Sequence, residues 1–163
     1  MGFFYKEDGR GKRMIQKVKE TDRRKLAAAA IRAAEFSYSP YSGFRVGAAL
    51  MTEEGRIFTG CNIENAAYTP TICAERTAIF KAASEGYRNF TAIAVTGGRS
   101  GIGLAAPCGV CRQVMMEFCG KEFEIILVTG EDCYEVHTLG ELLPMGFGPE
   151  DLERSPALVK KEA

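Results

Sequence analysis

Two short stretches decide how this chain reads: Thr71-Ile72-Cys73-Ala74-Glu75-Arg76 and Pro107-Cys108-Gly109-Val110-Cys111-Arg112. Each opens a helical pattern. The first runs from Pro70 or Thr71 to about Ser84 or Glu85, with Gly86 beyond it; the second runs from Pro107 to about Cys119, where Gly120 stops it. Cys108 and Cys111 are three positions apart and share a helix face. Near a helix N-terminus, the dipole and the unpaired N–H groups favour thiolate over thiol. Cys73 holds the matching place on the other helix. Helices entering side by side from adjacent strands bring the sulfurs together, with Glu75 two residues beyond the first. Three thiolates and an open fourth position form the catalytic rather than the structural arrangement of zinc. The expectation is zinc-activated water attacking an electrophilic carbon while Glu75 moves protons.

The charges of such a site pose a problem. Three thiolates and one zinc ion sum to −1, which weakens the ion's power to acidify water. Arg76 lies one turn from Cys73 and can offset this by donating hydrogen bonds to the sulfurs; the bland alternative is an exposed helix cation. Arg112 stands next to Cys111, with its direction open. For the cysteines the competing readings are a structural zinc site or plain buried thiols. C-x-x-C alone is a weak signal, but C-x-E followed by P-C-x-x-C is strong. Cys61 and Cys119 read as core thiols, Cys133 as a loop thiol and His137, the single histidine, as a structural or surface residue.

Outward from these helices, hydrophobic spacing predicts the remaining elements. Leu26, Ala29, Ala30, Ala33 and Phe36 make a helix that starts at Thr21 or Asp22 and ends before Ser39-Pro40. Residues 37–43 are turn chemistry. Phe44 to Met51 and Arg56 to Cys61 read as a hairpin around Glu53-Glu54-Gly55. Residues 62–69 are polar and irregular and face a site. Thr91 to Thr96, Phe123 to Thr129 and Tyr134 to Thr138 are strands, and a short helix lies near Pro149–Arg154. The glycine-rich stretch 97–103 lacks the Gly-Lys-Ser/Thr of a phosphate loop. The order α-β-β-α-β-α-β-β-α implies an α/β fold, a three-layer α/β/α sandwich on a mixed sheet of about five strands.

With 163 residues, the chain suits one domain. Residues 1–20, with Lys6, Arg10, Lys12, Arg13, Lys17 and Lys19, read as a basic arm, mobile or the start of a solvated helix; an RNA- or partner-binding arm is the lesser reading. Residues 21–155 form the single catalytic domain and 156–163 a tail. Lys plus Arg equals Asp plus Glu at 21 each, so an extended phosphate-binding surface, and hence a nucleic-acid partner, is not expected. No run reaches the roughly 20 apolar residues of a membrane span. Met1-Gly2-Phe3-Phe4-Tyr5-Lys6 is not a signal peptide, so reduced thiols and a cytoplasmic location are expected.

The motifs resemble those of the zinc cytidine/deoxycytidylate deaminase family, with Cys73 where that pattern often carries histidine. Ser42 to Leu50, Gly60 to Tyr68, Cys73 to Ala78 and Glu141 to Phe147 look like the small homotetrameric class, and the likeness spans about Asp22 to Leu152. The resemblance implies a hydrolase acting in pyrimidine salvage on cytidine and 2'-deoxycytidine, with one zinc ion per chain on Cys73, Cys108 and Cys111. Glu75 would shuttle protons and Arg76 would support the sulfurs. Phe44 would pack on the pyrimidine, the Ala74 backbone would contact the base, and Asn62 and Glu64 would hold the ribose hydroxyls. Ala66, Tyr68 and Phe147 would reach a neighbouring subunit's site. The rival within the fold is a deaminase of blasticidin S; outside catalysis it is a zinc-stapled binding module.

Overall fold

The computed structural model describes residues 17–154. The expected basic arm therefore lies outside the described residues except for positions 17–20, and the expected tail lies outside them entirely. The elements are α1 (Glu20–Ala34), β1 (Arg45–Thr52), β2 (Ile57–Cys61), α2 (Ala74–Ser84), β3 (Phe90–Gly98), α3 (Gly109–Phe118), β4 (Glu124–Val128), β5 (Tyr134–Thr138), α4 (Leu139–Leu142) and α5 (Pro149–Arg154). The strands form one mixed sheet in the order β2-β1-β3-β4-β5. β1 pairs antiparallel with both β2 and β3, β3 runs parallel to β4 across α3, and β5 returns antiparallel.

Alternation along the strands splits the core in two. Ala48, Leu50, Ile93, Val95, Ile125 and Leu127 face α2 and α3, whereas Ala49, Met51, Ala92, Ala94, Ile126 and Val128 face α1. Side chains two apart on a strand share a face, so one sheet separates two helical layers, as the element order implies. Small residues let α1 lie close: Ala27, Ala29, Ala30, Ala33 and Ala34 are all buried.

Two glycines set how near the helices come. A Cβ at Gly47 would stand 2.1 Å from the Ala30 carbonyl oxygen. One at Gly60 would stand 2.4 Å from the Ala74 carbonyl oxygen and 2.5 Å from the Ala78 nitrogen. Both neighbours are backbone, so neither clash is relieved by a rotamer change.

The structure moves two helix starts from where the spacing put them. α2 begins at Ala74 and α3 at Gly109, so Cys73 and Cys108 are the N-caps, with extended backbones at φ −78°, ψ 154° and φ −67°, ψ 166°. The cause at α2 is an antiparallel bridge between Ile63 and Ile72, closed by two N–H to O bonds of 3.0 Å, which holds the chain extended to the edge of Cys73. α4 is an extra turn. Its capping box, with Thr138 and Glu141 each accepting the other's backbone N–H, is a Thr-x-x-Glu signal present in the sequence.

Overpacking at Gly60 predicts that Gly60→Ala lowers stability by about 1–3 kcal/mol. Gly109→Ala, where a Cβ meets open space, should leave the denaturation midpoint unchanged or raise it. Equal midpoints for the two variants in urea would contradict the close approach.

Candidate metal centre

α2 and α3 bring their first turns together on one side of the sheet. The sulfurs of Cys73, Cys108 and Cys111 all lie within 4.8 Å of one another. Cys73 Sγ is 3.9 Å from Cys108 Sγ, and Cys108 Sγ is 3.5 Å from Cys111 Sγ. Thiolates 2.3 Å from a tetrahedral zinc ion stand about 3.8 Å apart, so the three sulfurs fit such an ion. Neither N-cap cysteine spends its sulfur on capping the helix. Cys111 is buried, Cys73 half-buried and Cys108 exposed, which leaves one side of the cluster open to a cleft.

The thiols bias one another. The Cys111 thiol donates toward Cys73 and, with Arg76 and Cys108, holds Cys73 down at about 5 against its burial. The same contact and burial push Cys111 upward. Arg76 Nη2 stands 3.7 Å from Cys73 Sγ and donates to the Thr71 carbonyl at 3.2 Å. Its Nε is buried with no hydrogen-bond partner. Arg76 is therefore turned into the sulfur cluster rather than to solvent, as the charge argument requires. Arg112 is not: its Nε donates to the Pro107 carbonyl and its Nη1 to the Leu142 carbonyl, both at 2.7 Å. Among the described residues, the sulfurs take their guanidinium from α2 alone.

Glu75 is only 3% exposed and lines the cleft beside Cys73 and Cys108. Burial, then the charge of Cys73, lifts its carboxyl above the usual carboxylate range, against hydrogen bonds from its own N–H and Cys111 and the pull of Arg76. A carboxyl beside an open metal position, holding its proton more tightly than usual, suits proton transfer.

The cleft has a volume of about 290 Å³, and Phe44, Asn62 and Glu64 form its far wall. Asn62 Oδ1 accepts from Ser37 Oγ (2.5 Å) and the Val46 N–H (2.8 Å), while Nδ2 donates to the Phe44 carbonyl (2.9 Å). Glu64 accepts from the N–H groups of Tyr41 (2.8 Å) and Ser42 (3.2 Å) and from the Ser42 hydroxyl. The Ser42 hydroxyl first, then the two N–H groups, draws the Glu64 carboxyl below its ordinary value against burial.

Ala74 is buried at the first position of α2. Ala66, Tyr68 and Phe147 are exposed and stand outside this cleft. Tyr68 has a left-handed φ of 58° and lines an adjoining recess with Tyr41. The holding roles of Ser37, Ser42 and Thr71 escape sequence reading, because Ser37 and Ser42 lie in a stretch that reads as turn chemistry and Thr71 in one that reads as a helix start. Cys119 is buried as expected; Cys61 is half-buried and donates to the Phe36 carbonyl.

The model of the cytidine and deoxycytidylate deaminase zinc-binding region matches residues 20–127. A cytidine deaminase of Sporosarcina psychrophila is 50% identical over 131 residues, covering 80% of this chain and 95% of that protein. One of Halalkalibacterium halodurans is 47% identical over 131 residues, covering 80% and 98%. The crystal structure of cytidine deaminase from Burkholderia pseudomallei superposes with a TM-score of 0.71 at 46% identity, covering 80% of this chain and all of that one.

With Cys73 held as thiolate at neutral pH, zinc uptake by the metal-free protein at pH 7 should release one proton fewer than if all three cysteines started as thiols. Calorimetry in buffers of different ionisation enthalpy reads this number. Arg76→Ala should raise it; an equal number from the parent and Arg76→Ala would contradict an Arg76-supported Cys73 thiolate.

Proposed function

The chain belongs to the cytidine and deoxycytidylate deaminase family, and from that membership we propose which of its residues carry the zinc-dependent hydrolysis of cytidine to uridine and ammonia. The observation that carries the reading is the buried Glu75 carboxyl beside three sulfurs spaced for one zinc ion. Bound zinc supplies a Lewis acid that makes water a nucleophile at neutral pH. Glu75 takes a proton from the attacking water and passes protons to the ring nitrogen and the leaving amine. Arg76 withdraws charge from the sulfurs. The Ala74 backbone contacts the base, and Phe44 packs on its face. Cytidine deaminase relatives favour this substrate over blasticidin S, and a buried proton carrier has no place in a zinc-stapled binding module.

The hydrogen-bond inventory at the far wall suits a sugar. Asn62 Oδ1 is doubly occupied and Nδ2 donates once, which leaves one amide N–H free, and three bonds to Glu64 leave it spare acceptor capacity. One donor beside one acceptor matches one hydroxyl group. We assign the chemistry to a single catalytic domain over residues 21–155, acting on cytidine and 2'-deoxycytidine as a homotetramer in the cytoplasm. The exposed Ala66, Tyr68 and Phe147 complete a neighbouring subunit's site. Among the described residues, no helix is long and apolar enough to cross a membrane.

Glu75→Gln should retain zinc and thermal stability yet lose about 10²–10⁴-fold in turnover, followed as uridine and ammonia. Near-parental turnover would remove Glu75 from the chemistry. Substrates lacking one sugar hydroxyl test the wall: either 2'- or 3'-deoxycytidine should stay within about tenfold of cytidine in kcat/KM while the other falls by more, since a lost hydrogen bond to a charged group costs about 1.5–3 kcal/mol. Equal losses would contradict a one-hydroxyl reader.

A further inference from the structure

Arg112 sits next to a metal-binding cysteine but makes no contact with the sulfurs. Its guanidinium joins two separate pieces of chain. Nε donates to the carbonyl of Pro107, the residue before Cys108, and Nη1 donates to the carbonyl of Leu142, the last residue of α4. Both bonds are 2.7 Å, the short range of charge-assisted pairs. The next residue extends the join: Gln113 Nε2 donates to the Phe147 carbonyl at 2.7 Å. Consecutive side chains of the metal-bearing helix thus hold both ends of the segment Leu142–Phe147.

The segment's own backbone adds a bond from the Leu143 N–H to the Leu139 carbonyl (2.8 Å) and a longer one from the Gly146 N–H to the Leu143 carbonyl (3.4 Å). It leaves α4 at Leu142, contains Pro144, and carries Met145 97% exposed and Phe147 59% exposed. Gly146 packs where a Cβ would meet the Leu143 side chain at 2.5 Å and Met116 Cε at 2.8 Å, so α3 also supplies its floor. Leu142 and Leu143 pack against the same core cluster as Cys111 and Met115. The carbonyl of Leu142 is one that a helix end leaves unpaired, and a cation there also suits the helix dipole.

We propose that Arg112 is a positioning residue that fixes the Cys108 peptide and the Leu142–Phe147 segment as one unit, so that metal retention and the placement of Phe147 depend on the same side chain. The second half rests on the reading that Phe147 completes a neighbouring subunit's site. Lysine is a poor substitute. It has the charge but not the rigid fork that reaches two carbonyls at once.

The test uses the zinc-loaded parent, Arg112→Ala, Arg112→Lys, Gln113→Ala and Phe147→Ala. Zinc release to a chromogenic chelator and KM and kcat for cytidine are measured on each. Arg112→Ala should release zinc about 10–100-fold faster, the range for groups that orient metal ligands, and should raise KM more than it lowers kcat. Arg112→Lys should restore either measure only in part, and it replaces Arg112→Ala if that variant does not fold. Gln113→Ala should raise KM like Phe147→Ala while keeping parental zinc release. Parental zinc release from Arg112→Ala, or from Arg112→Lys in its place, would overturn the proposal, as would full restoration by lysine. A parental KM in Phe147→Ala would instead overturn the neighbouring-site reading and leave the zinc-release arm to decide Arg112.

Discussion

The packing of α2 onto β2 at Gly60 is the constraint on which the site depends. The helix backbone at Ala74 and Ala78 lies so close to the strand that a single methyl group has no space. Just before it, the Ile63–Ile72 bridge holds the chain extended. An extended approach followed at once by a helix pressed on the sheet leaves Cys73 as the N-cap, Glu75 in the first turn and buried, and Arg76 directed back at the sulfur. Moving the helix start by one residue would rotate these side chains by about 100° and dissolve the site.

The second metal helix answers the first through the sheet. β3 and β4 run parallel across α3, so α3 begins on the same side as α2 and presents Cys108 and Cys111 to Cys73. Two helix N-termini then face one small volume. The Cys111 thiol, then Arg76 and Cys108, hold Cys73 down there against its burial, and helix dipoles favour negative sulfur in the same sense. The burial that makes this field strong also raises Glu75. One environment therefore stabilises metal-binding thiolate and tightens a carboxyl's hold on its proton, the two properties hydrolytic deamination needs.

Much of this was legible in the residues. Thiol spacing, the Glu two positions beyond Cys73 and strand alternation at Ala48 to Met51 each follow a local rule, and each led to the observed sheet, layers and metal cluster. Arg76 was legible because an unbalanced charge at the sulfurs demands a donor one turn away. The remainder depended on contacts distant in sequence. The start of α2 shifted because residue 63 pairs with residue 72. Arg112 spends its guanidinium on the carbonyls at 107 and 142 instead. Ser37 and Ser42 hold Asn62 and Glu64 from across the wall, and nothing in a serine-rich turn states which side chain it will meet.

The central claim is a zinc ion on three sulfurs with one position left for a light atom. X-ray absorption at the zinc edge of the purified protein tests it most directly. The account predicts one zinc per chain, about three sulfur scatterers near 2.3 Å and one oxygen or nitrogen near 2.0–2.1 Å. Four sulfurs would describe a closed structural site and contradict the account.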